Sequence, residues 1–285
     1  MSGTAVPGTV LITGTSSGIG LQAAVAAARS GHTVVATMRT LEGARALRDA
    51  SATAGVTLDI RRLDVTEPGS ITAVIAHMLD RYGRIDAVVN NAGAGHVGTI
   101  ENEGLDVVRA VMEVNFFGVV SVTRAALPHL RQSRGRLITV TSVGGVVGQP
   151  FSEAYCAAKF AVEGFFEGLA PVAATVGVRV SVIEPGAVAS SFVANAGLDP
   201  ESMLASAGPY APALAGYLAR TAGAFANAQS SSDAAAVVVA TLLADDPAFR
   251  VQTSEGARAF VAAKLADLDG SRVQGVTRSW VAATD

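Results

Sequence analysis

The chain has almost no cysteine, little charge and no long apolar run, and each shortage excludes something. One cysteine, Cys156, in 285 residues rules out an internal disulfide and fits a reducing compartment. Charged residues make up only 16% and the formal net charge is −3, which gives no electrostatic basis for binding nucleic acid or an anionic membrane surface. The longest strongly apolar run, roughly Ala234 to Ala244, falls well short of the ~20 residues that a membrane span needs. Met1–Gly8 has no basic region, and the apolar stretch after it is short and interrupted by Gly14, Gly18 and Gly20, unlike an export signal. A cytoplasmic protein is expected. No linker, charge block or internal repeat divides the sequence, so one domain spanning 1–285 is expected.

What the chain has instead is small and apolar residues: half are hydrophobic, and alanine and glycine are plentiful. Such a composition can fill a large core with closely packed helices and sheet. Short β-branched runs at Thr9–Thr13, Thr33–Thr37, Thr57–Leu63, Ala87–Asn90, Arg136–Thr141 and Arg179–Ile183 read as strands. Several are apolar at nearly every position, as strands covered on both faces are. Between them lie helix candidates Leu21–Ser30, Leu41–Ala54, Gly69–Tyr82, Leu105–Gln132 and Glu153–Thr175. Repeated β–α units imply an α/β fold with a doubly wound parallel sheet and helices on both faces. The rhythm breaks around 187–229, a long excursion rich in Ala, Gly, Pro and Ser. It resumes with a helix at Asp233–Ala244, a strand at Phe249–Thr253 and a helix at Gly256–Leu268, for a sheet of about seven strands.

The first strand runs into Gly14-Thr15-Ser16-Ser17-Gly18-Ile19-Gly20, which opens the first helix. Glycines let a backbone approach a ligand closely. The helix N-terminus offers free N–H groups and a positive dipole end to a pyrophosphate, and Ser16 and Ser17 add hydroxyls. NAD-binding sheets usually carry an acid at the end of the second strand for the ribose 2′-hydroxyl. Here Met38 occupies that position and Arg39 follows. A missing carboxylate and a guanidinium suited to a 2′-phosphate favour NADP(H) over NAD(H). Asp64-Val65 and Asn90-Asn91-Ala92-Gly93 end the third and fourth strands on the same carboxyl edge, where such sheets bind ligands. Asp64 either orders its loop or touches adenine.

Tyr155 and Lys159 are spaced i, i+4 on one helix face. A nearby ammonium lowers a phenol pKa, making a tyrosine able to give or take a proton at neutral pH. Ser142 ends the fifth strand on the nucleotide edge, where its hydroxyl could hold a carbonyl oxygen beside Tyr155. Asn115 sits inside a helix that disfavours it, either for a functional role or for a side-chain bond to backbone.

Thr13-Gly14-x-x-x-Gly18-Ile19-Gly20, Asn90-Asn91-Ala92-Gly93, Asn115, Ser142, Tyr155-x-x-x-Lys159 and Pro185-Gly186 occur in the order and at spacings similar to those of the short-chain dehydrogenase/reductase family. The resemblance runs from Thr9 to about Leu268. It implies a single-domain Rossmann fold. It implies that Tyr155 is the general acid/base, that Lys159 binds the nicotinamide ribose, and that Ser142 positions the carbonyl. Asn115 would help hold a water linking Lys159 to solvent. Pro185, Gly186 and Val188 would line the nicotinamide, with Ser190 where the family often has threonine. Ile183-Glu184-Pro185-Gly186, the Arg39 region and the C-terminal third resemble the hydroxysteroid and retinol dehydrogenase branch, although the Gly-rich ending of many other members is not evident.

In this architecture the excursion closes over the substrate. Its Phe192, Val193, Leu198, Met203, Leu204, Tyr210, Leu214, Tyr217, Leu218 and Phe225 either form an apolar lid or pack into the body or a subunit interface. Val143–Val146 and Ala94-Gly95-His96 would complete the pocket, with His96 incidental. A hydrophobic ketone, aldehyde or secondary alcohol is the expected substrate. The helices at Leu105–Gln132 and Glu153–Thr175 carry surplus apolar surface, and the resemblance implies that they pair in a homodimer or homotetramer. An epimerase or dehydratase on this fold would need a larger C-terminal part. The alternative from another class is a catalytically silent NADP(H)-sensing regulatory protein.

Overall fold

The computed structural model describes residues 7–190, 199–267, 269, 272, 275, 276, 279 and 280. Thr9–Ile12 (β1), Gly18–Arg29 (α1), Thr33–Met38 (β2), Arg45–Thr53 (α2), Asp59–Arg62 (β3), Pro68–Tyr82 (α3) and Ala87–Asn90 (β4) form the first half. Leu105–Met112 (α4), Gly118–Ser133 (α5), Arg136–Val140 (β5), Glu153–Ala174 (α6) and Arg179–Glu184 (β6) follow. Strands lie in the order β3-β2-β1-β4-β5-β6 with a last strand, Arg250–Gln252, beyond β6, and every pairing is parallel. The order reverses between β1 and β4, which opens a crevice at their carboxyl ends.

Period-2 alternation divides the core into two layers. Val10, Ile12, Val34 and Ala36 face one side, while Leu11 and Val35 face the other. Because both faces are covered, the strands are apolar throughout rather than amphipathic. Ala23, Ala24 and Ala27 of α1 are buried and let that helix lie close to the one at Ser231–Leu243. The abundance of alanine serves this packing.

The excursion is folded. Its ends are tied together by Val188–Ala189 (β7), which pairs with a two-residue strand at Gln229–Ser230, Val188 opposite Gln229. Between them stand Pro200–Ser206 (α7) and Ala211–Ala226 (α8). The strand at 229–230 is β8, the helix Ser231–Leu243 is α9, the strand Arg250–Gln252 is β9, and Glu255–Leu265 is α10. Leu214 and Tyr217 are buried with Phe151, Ala207 and Trp280, with Met203, Leu204 and Leu218 against them. Packing into the body therefore accounts for most of the excursion's described apolar residues, whereas Tyr210 is exposed, and Phe225 and one side of Tyr217 line the cavity described below. Phe192, Val193 and Leu198 lie outside the described residues, as does Leu268.

Two expected helices differ. Leu41–Ala54 begins as a 3₁₀ turn at Leu41–Ala44 before α2. Leu105–Gln132 is not continuous: a π turn at Glu113–Phe117 separates α4 from α5. A π turn shifts bonding from i+4 to i+5 while leaving the apolar periodicity nearly intact, so sequence pattern does not reveal it. Among the described residues, no helix is long and apolar enough to cross a membrane.

Candidate active site

The turn after β1 is built for close approach. Gly14 has φ +70° and Gly18 φ +59°, conformations that glycine adopts without strain. A Cβ on Gly14 would lie 2.7 Å from the Cα of Ala92, and one on Gly18 would lie 3.1 Å from the Cβ of Ser190. Neighbouring strands hold the turn in place. The N–H groups of Asn91 and Ala92 both donate to Thr13 Oγ1 at 3.0 Å, and Asn91 Nδ2 donates to the carbonyls of Thr13 and Gly14 at 2.9 Å. Thr15 N–H donates to the carbonyl of Thr37 at 2.9 Å, joining the turn to β2. The Ser17 side chain does not cap α1, so the first-turn N–H groups of that helix have no side-chain acceptor there.

This turn forms one end of a cavity of about 1330 Å³. Of the residues singled out in the sequence, Gly14, Ser16, Ser17, Gly18, Ile19, Arg39, Asp64, Val65, Asn91, Ala92, Gly93, Ser142, Tyr155, Lys159, Pro185, Gly186, Val188 and Ser190 all line it. Gly20 and Asn115 do not. Gly20 stands behind the turn, where a Cβ would collide with the Gly14 carbonyl and the Asn91 amide. At the far edge Met38 is buried and Arg39 is exposed at the rim. Asp64 has a loop-ordering role: its carboxylate accepts from Thr66 N–H at 2.9 Å and Thr66 Oγ1 at 2.7 Å. Partial burial opposes its ionisation, but these two bonds and the charges of Arg39 and Arg62 hold its pKa below the ordinary value.

Ser142, Tyr155 and Lys159 meet in the middle of the cavity. Ser142 is in extended conformation just past β5 and accepts from Gly144 N–H at 3.0 Å, starting a 3₁₀ turn at Val143–Gly145. Tyr155 stands in the first turn of α6, and the neighbouring Ser142 hydroxyl favours its ionised form. One turn further, Lys159 is 3% exposed, its Nζ 5.8 Å from the Tyr155 ring centroid and donating to the Val140 carbonyl at 3.3 Å. Burial draws the ammonium down to a pKa of about 8, opposed by the charge of Glu163. The phenol departs from the lowered pKa expected for it: burial pushes it above the ordinary range, and the Ser142 hydroxyl only partly offsets this. The cation facing the ring is itself desolvated and directed to a backbone carbonyl.

Asn115 is fully buried in the π turn and its side chain is committed to backbone. Oδ1 accepts from Ala94 N–H at 3.1 Å, while Nδ2 donates to the carbonyls of Ala94 at 3.0 Å and Val111 at 3.1 Å. It pins the loop after β4 beside Lys159. A Cβ on Gly93 would lie 2.9 Å from Asn115 Oδ1 and 3.5 Å from Lys159 Nζ, so that glycine permits the approach.

Behind Lys159 lies a buried carboxylate cluster that the sequence reading missed. Glu163, one turn along α6, accepts from Thr141 Oγ1 at 2.5 Å and from Arg250 Nε at 3.2 Å. Glu184 at the end of β6 lies 3.4 Å from Arg250 and accepts from Gln252 at 2.8 Å. The i+4 spacing from Lys159 to Glu163 is readable in sequence, but the convergence of α6, β6 and β9 is not. Burial, reinforced by the charge of Glu184, raises the Glu163 pKa from 4.5 to about 7, against the Thr141 bond and Arg250. Because the folded value is the higher one, the native protein binds this proton more tightly. The resulting stability is full below about pH 4.5 and is lost as pH rises to about 7, at most about 3 kcal/mol. Glu163→Gln keeps an acceptor for Thr141 and removes the titration. Thermal unfolding at pH 5 and pH 7 should show a smaller pH-dependent difference in the variant than in the wild type; an unchanged difference contradicts this assignment.

A sequence profile described as short chain dehydrogenase matches residues 8–201. Bovine retinol dehydrogenase 8 is 38% identical over 280 residues, covering 93% of this chain and 87% of its own. Human 17-beta-hydroxysteroid dehydrogenase type 1 is 37% identical over 275 residues, covering 92% and 82%. The crystal structure of a short-chain dehydrogenase from Streptomyces avermitilis superposes with TM-score 0.76 at 30% identity, covering 98% of this chain and 99% of that one. The sheet order and glycine turn define a Rossmann-type fold, and these matches make the chain an oxidoreductase. More particularly, the chain belongs to the short-chain dehydrogenase/reductase family, in its hydroxysteroid and retinol dehydrogenase branch.

Proposed function

We propose that the protein transfers a hydride between NADP(H) and a hydrophobic ketone, aldehyde or secondary alcohol, using Ser142, Tyr155 and Lys159. The observation that carries this reading is the convergence of Ser142, Tyr155 and Lys159 in the cavity that the glycine turn opens. When bound, the nicotinamide supplies or accepts the hydride. The glycine turn fits a dinucleotide, because Gly14 and Gly18 line the cavity at positive φ beside the N-terminus of α1, where bare backbone can approach a pyrophosphate. Gly14, Ser16, Ser17, Gly18, Ile19 and Gly20 would form the pyrophosphate turn, with Asp64, Val65, Asn91, Ala92 and Gly93 on the adenosine side. Pro185, Gly186, Val188 and Ser190 would hold the nicotinamide end.

In the reducing direction the substrate oxygen takes hydrogen bonds from the Ser142 and Tyr155 hydroxyls, and Tyr155 gives it a proton. The raised phenol pKa keeps Tyr155 in the donor form at neutral pH. Lys159, when charged, stabilises the tyrosinate left behind and donates to the cofactor ribose. Asn115 acts through the loop at Ala94 that it fixes, and a water beside that loop would connect Lys159 to solvent. Leu105 on α4, Phe117 in the π turn, and Phe160, Phe165 and Val172 on α6 are exposed, which supports assembly as a homodimer or homotetramer.

Arg39 is the basis for preferring NADP(H). One charge-assisted bond to a 2′-phosphate is worth about 1.5–3 kcal/mol. Arg39→Ala should therefore lower the ratio of kcat/KM for NADPH over NADH by about 10–100-fold. The assay is reduction of a series of apolar ketones and aldehydes with each cofactor. A wild-type preference for NADH, or a ratio that Arg39→Ala does not change, would overturn the cofactor assignment.

A further inference from the structure

Beyond Ser142 and Tyr155 the cavity continues between two walls. One includes Val143, backed by Val146, Val147 and Val261, with Phe260 of α10 beside them. The other is the face of α8 that carries Tyr217, Arg220, Thr221 and Ala224, residues three and four apart that share one side of the helix. Trp280 stands between the walls, stacked on Phe260 with ring centroids 5.7 Å apart.

Arg220 is the charged residue of this wall and stands at the solvent-exposed mouth of the cavity. Its guanidinium lies 4.2 Å from the Trp280 ring centroid, and no ion pair or hydrogen bond among the described residues engages it. The other charged groups lining the cavity are placed elsewhere: Arg39 and Asp64 at the adenosine end, and Lys159 beneath the reacting centre. His96 is occupied by Glu103 at 2.9 Å. Among the described residues, no carboxylate lines the substrate end. Stacking on an indole holds a guanidinium flat and leaves its edge N–H donors free for a planar, two-oxygen acceptor. A second donor in the cluster, the buried Trp280 Nε1, has no hydrogen-bond partner among the described residues.

We infer that Arg220 recognises a carboxylate at the distal end of the substrate, so that the preferred substrates are apolar oxo or hydroxy acids. Their hydrocarbon body lies along Val143, Phe260 and Trp280, with the acid group on Arg220. The inference rests on the proposed function for where the reacting carbon lies. Its binding component is independent of turnover.

Trp280 is the single tryptophan of the chain, so tryptophan emission reports this wall alone. Titration with octanoate, and separately with methyl octanoate, gives the comparison. Octanoate should change the emission saturably and bind about 10–100-fold more tightly than the ester, as a charge-assisted bidentate contact does. Arg220→Gln should bring the acid-to-ester ratio close to one, and Arg220→Lys should retain part of it. In turnover, a linear methyl-ketone acid should exceed its methyl ester in kcat/KM by a similar factor, carried mainly by KM. Equal affinities for acid and ester, no response to octanoate, or a ratio unaffected by Arg220→Gln overturns the inference and leaves the proposed function standing. Selective octanoate binding lost in Arg220→Gln, without turnover of any carbonyl, supports the anion site and contradicts the proposed function instead.

Discussion

Tyr155→Phe is expected to lower kcat for carbonyl reduction by about 10²–10⁴-fold, the usual contribution of a positioned acid/base group. The substitution keeps the ring and its packing and removes only the hydroxyl. Ser142 Oγ is not left without a partner, because it still accepts from Gly144 N–H. Unfolding free energy should thus move by no more than about 1 kcal/mol, the net worth of one hydrogen bond. A loss confined to kcat, with KM nearly unchanged, identifies an interaction made in the transition state. The check is steady-state kinetics alongside denaturant unfolding of the same preparations. Undiminished turnover removes Tyr155 from the chemistry, and a large stability loss reassigns it to the fold.

Gly14→Ala should have the largest effect on structure and nucleotide binding together. Two costs add at this position. An L-residue held at positive φ costs about 1–2 kcal/mol. A Cβ 2.7 Å from the Ala92 Cα must also displace backbone, a form of overpacking worth about 1–3 kcal/mol. The sum is a substantial part of the roughly 5–15 kcal/mol that stabilises a domain. Any relaxation that relieves the clash pushes apart β1 and β4 at the crevice, so affinity for NADPH should fall by at least tenfold. Gly69→Ala is the internal comparison: it lies in the first turn of α3, its Cβ would meet nothing within 4 Å, and the change should be neutral or slightly stabilising. Denaturant midpoints and NADPH titration of both variants decide the matter. Equal midpoints for the two would contradict the strain assigned to the turn.

The parallel sheet was legible because its strands are short, apolar and β-branched, and the unit is local. Thr33–Met38 and Ala87–Asn90 differ from expectation by a residue at most. The same locality exposed the glycine turn and the Tyr155–Lys159 spacing, since each lies within a few residues. What sequence did not reveal is non-local or pattern-neutral. The π turn at Glu113–Phe117 hides within an unbroken apolar rhythm. β7 and β8 are two residues each and exist only because the ends of the excursion meet. Glu163, Glu184 and Arg250 converge from three elements, and Arg220, Phe260 and Trp280 from widely separated parts of the chain. The direction of the Tyr155 pKa was also beyond reach, because spacing gives the distance to a cation but not the burial that outweighs it.

The most direct measurement follows NADPH oxidation with a series of hydrophobic ketones and aldehydes and quantifies the alcohol formed. The expected result is one alcohol per NADPH consumed, lost in Tyr155→Phe while NADPH binding persists. NADPH binding without turnover of any carbonyl, or of any alcohol with NADP⁺, would contradict the catalytic reading and leave a nucleotide-sensing protein on this fold.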